Sequence, residues 1–151
     1  MELRNHDRLA YAAAICARNG ANLTEIRRQV LALVFAAREP VGAYALLDRL
    51  RGERANATPV TVYRALDFLL AQGLIHKVER LNAFIGCADQ GTPHDHDHAV
   101  QFLICRTCGT VTEMEDAGIA QSVQAAASRS GFRPTRATVE VEGLCAACAP
   151  G

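Results

Sequence analysis

No apolar run in the sequence approaches the ~18–20 residues that a membrane-spanning helix needs, so no membrane role is expected. The first segment, Met1 to Arg18, mixes charges through its apolar positions and lacks the core of a signal peptide, so a cytoplasmic location is expected. There is no low-complexity tract, and most of the chain should fold. No phosphate-binding loop and no nucleophile–base pairing stands out, so neither enzymatic activity nor a small organic substrate is expected. Net charge is also absent, with 16 Lys and Arg against 16 Asp and Glu in 151 residues.

That balance hides an asymmetry. Residues 1–86 carry 12 Lys and Arg against 8 Asp and Glu, a net +4, whereas residues 87–151 carry 4 against 8, a net −4. A basic front and an acidic back suggest two small modules with different partners. Half of the residues are hydrophobic, enough for a packed core.

The front half reads as helices separated by breakers. Residues 6–19 are Ala-rich and stop at Asn19-Gly20. Thr24 can cap the next helix, whose Ile26, Val30, Leu33, Val34 and Ala37 form a helical stripe before Pro40 and Gly42. A short helix over 43–51 takes its apolar residues from Ala45, Leu46, Leu47 and Leu50. Thr58-Pro59 opens a helix that runs to Gln72 and ends at Gly73. Two strands, 74–78 and 83–87, follow around Arg80-Leu81-Asn82. Helix, turn, helix and hairpin together make a winged helix-turn-helix.

Residues 87–99 read as a hinge and a polar loop rich in His and Asp. Beyond them the pattern changes to strands at 100–105 and 110–115, a helix over 117–130, and an alternating strand at 136–142 with Val139 and Val141 inward. The expected fold is therefore α+β: a winged helix-turn-helix over 1–86, a hinge and metal-binding loop over 87–99, and a small α/β module over 100–151. The back module has a thin core, and a metal staple or a dimer partner would help it fold.

Three sets of residues carry chemistry. Cys105-x2-Cys108 and Cys145-x2-Cys148, 36 residues apart, supply four thiolates, the tetrahedral set of a structural zinc. A closed four-thiolate site has no open position, which argues for structure over catalysis. The rival reading is a pair of redox dithiols. The second set is looser: His76, Cys87, the run His94-Asp95-His96-Asp97-His98, and Glu113 are potential ligands near the domain junction. One thiolate, two imidazoles and a carboxylate suit tetrahedral zinc. Spacing alone does not choose between that site and a wing histidine, a buried thiol, a solvated loop and a surface carboxylate. The third set is the outer face of the helix over 58–72, with Arg64 central and Tyr63 and Thr61 on its flanks. Arg reaches a guanine edge bidentately, and Tyr contacts phosphate or a thymine methyl. Thr61, Lys77 and Arg80 are candidate phosphate contacts, which makes double-stranded DNA the expected partner.

Together these residues resemble the ferric uptake regulator family of metal-dependent repressors, and within it the zinc uptake regulator branch. The segment Thr58-Pro-Val-Thr-Val-Tyr-Arg-Ala-Leu-Asp-Phe-Leu-Leu-Ala-Gln-Gly73 is similar to the family's recognition helix. Leu74-Ile-His-Lys-Val78 is similar to its wing entry, and the two CxxC pairs to its structural zinc site. The resemblance implies a regulatory zinc on His76, Cys87, His98 and Glu113, with His94 and His96 as extra or alternative ligands. It implies Zn2+ at two per subunit, one structural and one regulatory. It places Tyr63 and Arg64 on the base-contacting pair, and implies a homodimer, joined by the back modules, on palindromic operators.

Two departures set the chain apart from iron-sensing members. Those carry a His-His-Asp-His run three residues before the first CxxC, whereas Ala99 to Ile104 intervene here. They also draw a ligand His from the last strand region, where Ala137 stands. The loop between Cys87 and Cys105 is a few residues longer than in close relatives, which leaves the choice among His94, His96 and His98 open. The expected function is a zinc-responsive repressor of zinc-uptake genes. Its rivals are a relative sensing iron, nickel or peroxide, a zinc buffer or chaperone using the His/Asp loop, and a dithiol oxidoreductase.

Overall fold

The breakers fall where the helices end. Asn19 and Gly20 close α1 (Asn5–Arg18), and Gly20 takes the left-handed conformation at φ +67°. α2 (Glu25–Ala36) begins after Thr24, and α3 (Ala43–Arg51) begins after Gly42. α4 (Pro59–Ala71) has Thr58 as its N-cap, whose Oγ1 accepts the Thr61 N–H at 3.3 Å. Pro59 opens that helix, where a missing N–H costs nothing. Gly73, at φ +70°, turns the chain into β1 (Ile75–Val78), which pairs antiparallel with β2 (Ala83–Gly86). Asn82 supplies the left-handed residue of that turn at φ +47°. Val41 exchanges two backbone bonds with Phe84, at 2.8 and 2.9 Å, and so tethers the α2–α3 connection to the hairpin. Thr24 differs from expectation: it holds the N-cap position of α2, but its side chain makes no capping bond.

The computed structural model describes residues 5–87 and 100–150. The expected loop over 88–99, with His94, His96 and His98, lies outside the described residues. The chain divides into two compact units, Met1–His94 and Asp95–Gly151. Among the described residues no helix is long and apolar enough to cross a membrane.

In the first unit the helical stripes converge on one core. Leu31 of α2, Leu46 and Leu50 of α3, and Val62, Leu66 and Leu69 of α4 are all fully buried. Each such side chain stabilises the unit by about 1.5–3 kcal/mol. Ala45 is exposed and lies outside that core, contrary to expectation. With its interior face committed, α4 is free to present its other face to solvent.

The second unit is a three-stranded sheet in the order β4–β3–β5, formed by β3 (Val100–Cys105), β4 (Val111–Met114) and β5 (Thr138–Gly143). β4 runs antiparallel and β5 parallel to β3, and α5 (Ala117–Arg129) makes the crossover. Asp116 caps α5 by accepting the Ile119 N–H at 3.1 Å. No residue of α5 is buried, and Ile119, Val123 and Ala127 form a half-covered stripe, in keeping with a thin core. One expectation fails here: Val141 is 48% exposed, although the strand alternation places it inward. Its sheet neighbour Leu103 is 40% exposed, and with Leu144 they border a cleft of about 380 Å³. Among the described residues nothing covers Leu103 and Val141 on this side of the sheet.

Candidate functional site

The four paired cysteines meet at one end of the second unit's sheet. Cys105 ends β3, and Gly109, at φ +76°, closes the knuckle that carries Cys108. The Cys105 N–H donates to the Thr110 carbonyl and the Gly109 N–H to the Cys105 carbonyl, both at 3.0 Å. The second pair lies just beyond β5, in a turn held by Cys148 and Ala149 N–H groups donating to the Cys145 carbonyl. The Arg106 N–H donates to the Gly143 carbonyl at 2.9 Å and extends the β3–β5 pairing into the knuckle. The pairing thus brings two segments distant in sequence to one point.

All four sulfurs lie within 4.8 Å of one another, and none is in a disulfide. Zinc–sulfur bonds of about 2.3 Å at the tetrahedral angle put sulfurs about 3.8 Å apart. Cys108 Sγ and Cys145 Sγ are 3.7 Å apart, at that spacing, and the other sulfurs lie close enough to gather round one thiophilic ion. The electrostatics favour thiolate at its inner ligand. Backbone N–H groups, Cys108 first, then Cys145 and Thr107, hold the buried Cys105 thiol down at about 6. The Thr110 hydroxyl, 3.0 Å from Cys108 Sγ, lowers Cys108 as well. Cys148 is pushed up to about 12, mainly by its hydrogen bonds to Cys145 and Cys108, so without a metal it keeps its proton.

The looser ligand set divides between the units. In the first, His76 sits on β1 and Cys87 follows β2, with their ligand atoms within 4.8 Å of each other. Cys87 is buried, and its N–H donates to the Leu74 carbonyl at 3.1 Å. Gly86 beside it is closely packed: a Cβ there would lie 2.7 Å from Phe35 Cδ1. In the second unit Glu113 lies on β4 opposite Phe102.

The outer face of α4 is open. Tyr63 is 43% exposed, and Arg64 and Asp67 are exposed. Thr61 is half-buried and its hydroxyl lies 3.0 Å from that of Thr58. Lys77 on the wing pairs with Glu79 at 3.4 Å, while Arg80 is exposed at the wing tip. Sequence reasoning missed Tyr44, exposed to 69% on the first turn of α3. With Pro59 and Tyr63 it lines a shallow apolar hollow between α3 and α4. The missed signal was an aromatic residue in the first turn after the Gly42 break, off the stripe of Leu46, Leu47 and Leu50.

The chain matches the ferric uptake regulator family over residues 18–142. It is 42% identical to the zinc uptake regulation protein of Escherichia coli (strain K12) over 142 residues, which cover 93% of this chain and 80% of that protein. A structure described as a zinc uptake regulator complexed with zinc and DNA superimposes with a TM-score of 0.89 at 39% identity, covering 97% of this chain and 95% of that one. The crystal structure of holo XcZur gives a TM-score of 0.83 at 42% identity, covering 95% of this chain and 97% of the other.

Proposed function

Since the chain belongs to the ferric uptake regulator family, we propose that it is a zinc-responsive transcriptional repressor, acting in the cytoplasm as a homodimer on palindromic operators of zinc-uptake genes. The observation that carries this reading is the coexistence of an open Tyr63–Arg64 face on the second helix of a helix-turn-helix with a four-thiol cluster at tetrahedral spacing. It has no catalytic role.

Cys105, Cys108, Cys145 and Cys148 hold one structural zinc. His76, Cys87, Glu113 and one histidine of the 87–99 segment, His98, hold a second, regulatory one, with His94 and His96 as the alternatives. Bound there, the ion supplies a cross-link between ligands from the wing, the hinge and the back sheet. The thiolate of Cys87 favours zinc over iron, whose sites are richer in nitrogen and oxygen. In this reading residues 1–86 bind DNA, 87–99 form the hinge, and 100–151 dimerise. The uncovered side of the second unit's sheet, with Leu103 and Val141, supports a second copy as its cover. The metal-loaded state selects one separation of the two recognition helices, matched to half-sites about one helical turn apart.

On DNA, α4 lies in the major groove. Arg64 reads a guanine edge, Tyr63 and Tyr44 pack against the backbone or a thymine methyl, and Thr61, Lys77 and Arg80 contact phosphates. Arg64→Ala should weaken operator binding by about 1–3 kcal/mol and relax specificity at one position per half-site. Lys77→Ala should weaken binding to all sequences and flatten the salt dependence, and modestly, because Lys77 must first leave Glu79. Mobility-shift titrations on single-base operator variants check both; an Arg64→Ala protein with wild-type affinity refutes the proposed face.

The structural site also predicts a pH window. Thiolates bind zinc and thiols do not. Backbone N–H groups lower Cys105 from 9.0 to about 6, so the stabilised form is the ionised one. Its contribution is complete above the ordinary thiol value and is lost as pH falls through about 6. Protons compete with zinc for all four sulfurs, and Cys148, pushed up to about 12, offsets the help from Cys105, so zinc should pass to a chelator progressively more readily as pH falls. Zinc release that does not change with pH contradicts this. Operator binding measured with and without zinc separates the whole reading from a zinc buffer, which would not bind DNA, and from a dithiol oxidoreductase, which would hold no metal.

A further inference from the structure

Two kinds of partner surround the four-cysteine cluster: backbone N–H groups aimed at Cys105 Sγ, and, at Cys108, the side-chain hydroxyl of Thr110. Thr110 faces both cysteines of the first knuckle. Its carbonyl accepts the Cys105 N–H at 3.0 Å, and its hydroxyl oxygen lies 3.0 Å from Cys108 Sγ. Cys108 is the one exposed residue of the four; the others are buried or half-buried. A metal-bound Cys108 is a thiolate, which has no proton to give, so the Thr110 hydroxyl must be the donor in the loaded site. Partners of this kind orient metal ligands, and losing one typically costs about 10–100-fold in metal affinity.

We infer that Thr110 is a positioning residue that controls how fast the structural zinc is released, by donating to the sulfur of the most exposed ligand residue. The inference rests on the proposed structural zinc. A zinc site is opened by losing one ligand at a time, and the exposed ligand is the first that a competing chelator or a proton can reach. The hydroxyl hydrogen bond holds Cys108 Sγ in its ligand position and occupies one of its lone pairs. The carbonyl bond to Cys105 N–H survives any change of side chain, so the knuckle's backbone should persist when the hydroxyl is removed.

The test uses the purified full-length zinc-loaded protein and follows zinc transfer to a chromogenic chelator. Thr110→Val keeps the shape and removes the hydroxyl; Thr110→Ser keeps the hydroxyl. The Val variant should release zinc roughly 10-fold faster, in line with the usual effect of such partners, and the Ser variant should match the wild type. A second readout distinguishes the hydrogen bond from loosened packing. In the cobalt-substituted protein, removing a donor from a thiolate raises its donor level, so the sulfur-to-cobalt charge-transfer band should move to longer wavelength in Thr110→Val and not in Thr110→Ser. Equal release rates with an unmoved band overturn the role of Thr110, as does a Ser variant that behaves like Val. A wild-type protein with no zinc on these cysteines overturns the structural-site reading and this inference with it, so the two failures are told apart by metal content.

Discussion

Cys105→Ser or Cys148→Ser should yield a protein whose second unit is unfolded and which no longer dimerises. The reason lies in how little else holds that unit together. Among its described residues only Gln101, Phe102, Ile104 and Cys105 are buried. α5 contributes no buried residue, and Val141 and Leu103 face outward on the single chain. A unit of this size is marginal on its own core. In small zinc domains a tetrahedral site contributes an apparent ~10–16 kcal/mol near neutral pH, which is folding free energy. Serine replaces a thiolate with a neutral hydroxyl, a poor ligand, and the site cannot close with three. The first unit has its own core, from Leu31 through Leu69, and should keep its helices. Metal content, sedimentation and circular dichroism measure this together. A well-folded, dimeric, metal-free variant would be incompatible with it.

Cys87→Ser should give the opposite phenotype: a folded dimer that keeps one zinc per subunit and has lost its response to added zinc. Cys87 is buried after β2, against the Leu74 carbonyl, and serine nearly preserves its volume. The first unit should therefore survive. What disappears is the thiolate that would make the proposed regulatory set selective for zinc. Allosteric couplings of this kind are typically about 1–3 kcal/mol, or roughly 5–150-fold in affinity. The zinc-dependent gain in operator affinity should fall from that range to none. Glu113→Ala should act in the same direction and more mildly, since water can take its position. His98→Ala should disable the response, whereas His94→Ala and His96→Ala should leave it. Loss of response in His94→Ala or His96→Ala alone would move the ligand to that histidine.

The front of the molecule was legible because its signals are local. Asn19-Gly20, Thr58-Pro59 and Gly73 each fix the backbone within a turn of the chain, and the helix limits fall beside them. The gathering of the four cysteines was legible for a different reason. The CxxC spacing specifies a knuckle at each end, and the parallel β3–β5 pairing brings the knuckles together.

What was not legible depends on neighbours that no local pattern encodes. Gln101, Leu103 and Cys105 alternate onto one side of β3, yet Gln101 is buried and Leu103 is 40% exposed. Gln101 donates to the Asp116 carbonyl at the start of α5, which carries chain over it, whereas Leu103 stays 40% exposed among the described residues. Alternation gives the side of a sheet and not what lies on it. Tyr44 was missed in the same way: its exposure follows from Leu46, Leu47 and Leu50 taking the inner face of α3. Thr24 shows the converse limit, a residue of the right type in the right place whose side chain makes no bond.

The most direct test of the central claim is operator affinity measured across buffered free zinc, with the four-cysteine site kept loaded throughout. The account predicts a sigmoid or hyperbolic rise in affinity over a free-zinc range well below that needed for non-specific binding, present in the wild type and absent in Cys87→Ser. Affinity that is indifferent to zinc in the wild type, or a zinc response that survives intact in Cys87→Ser, would contradict it.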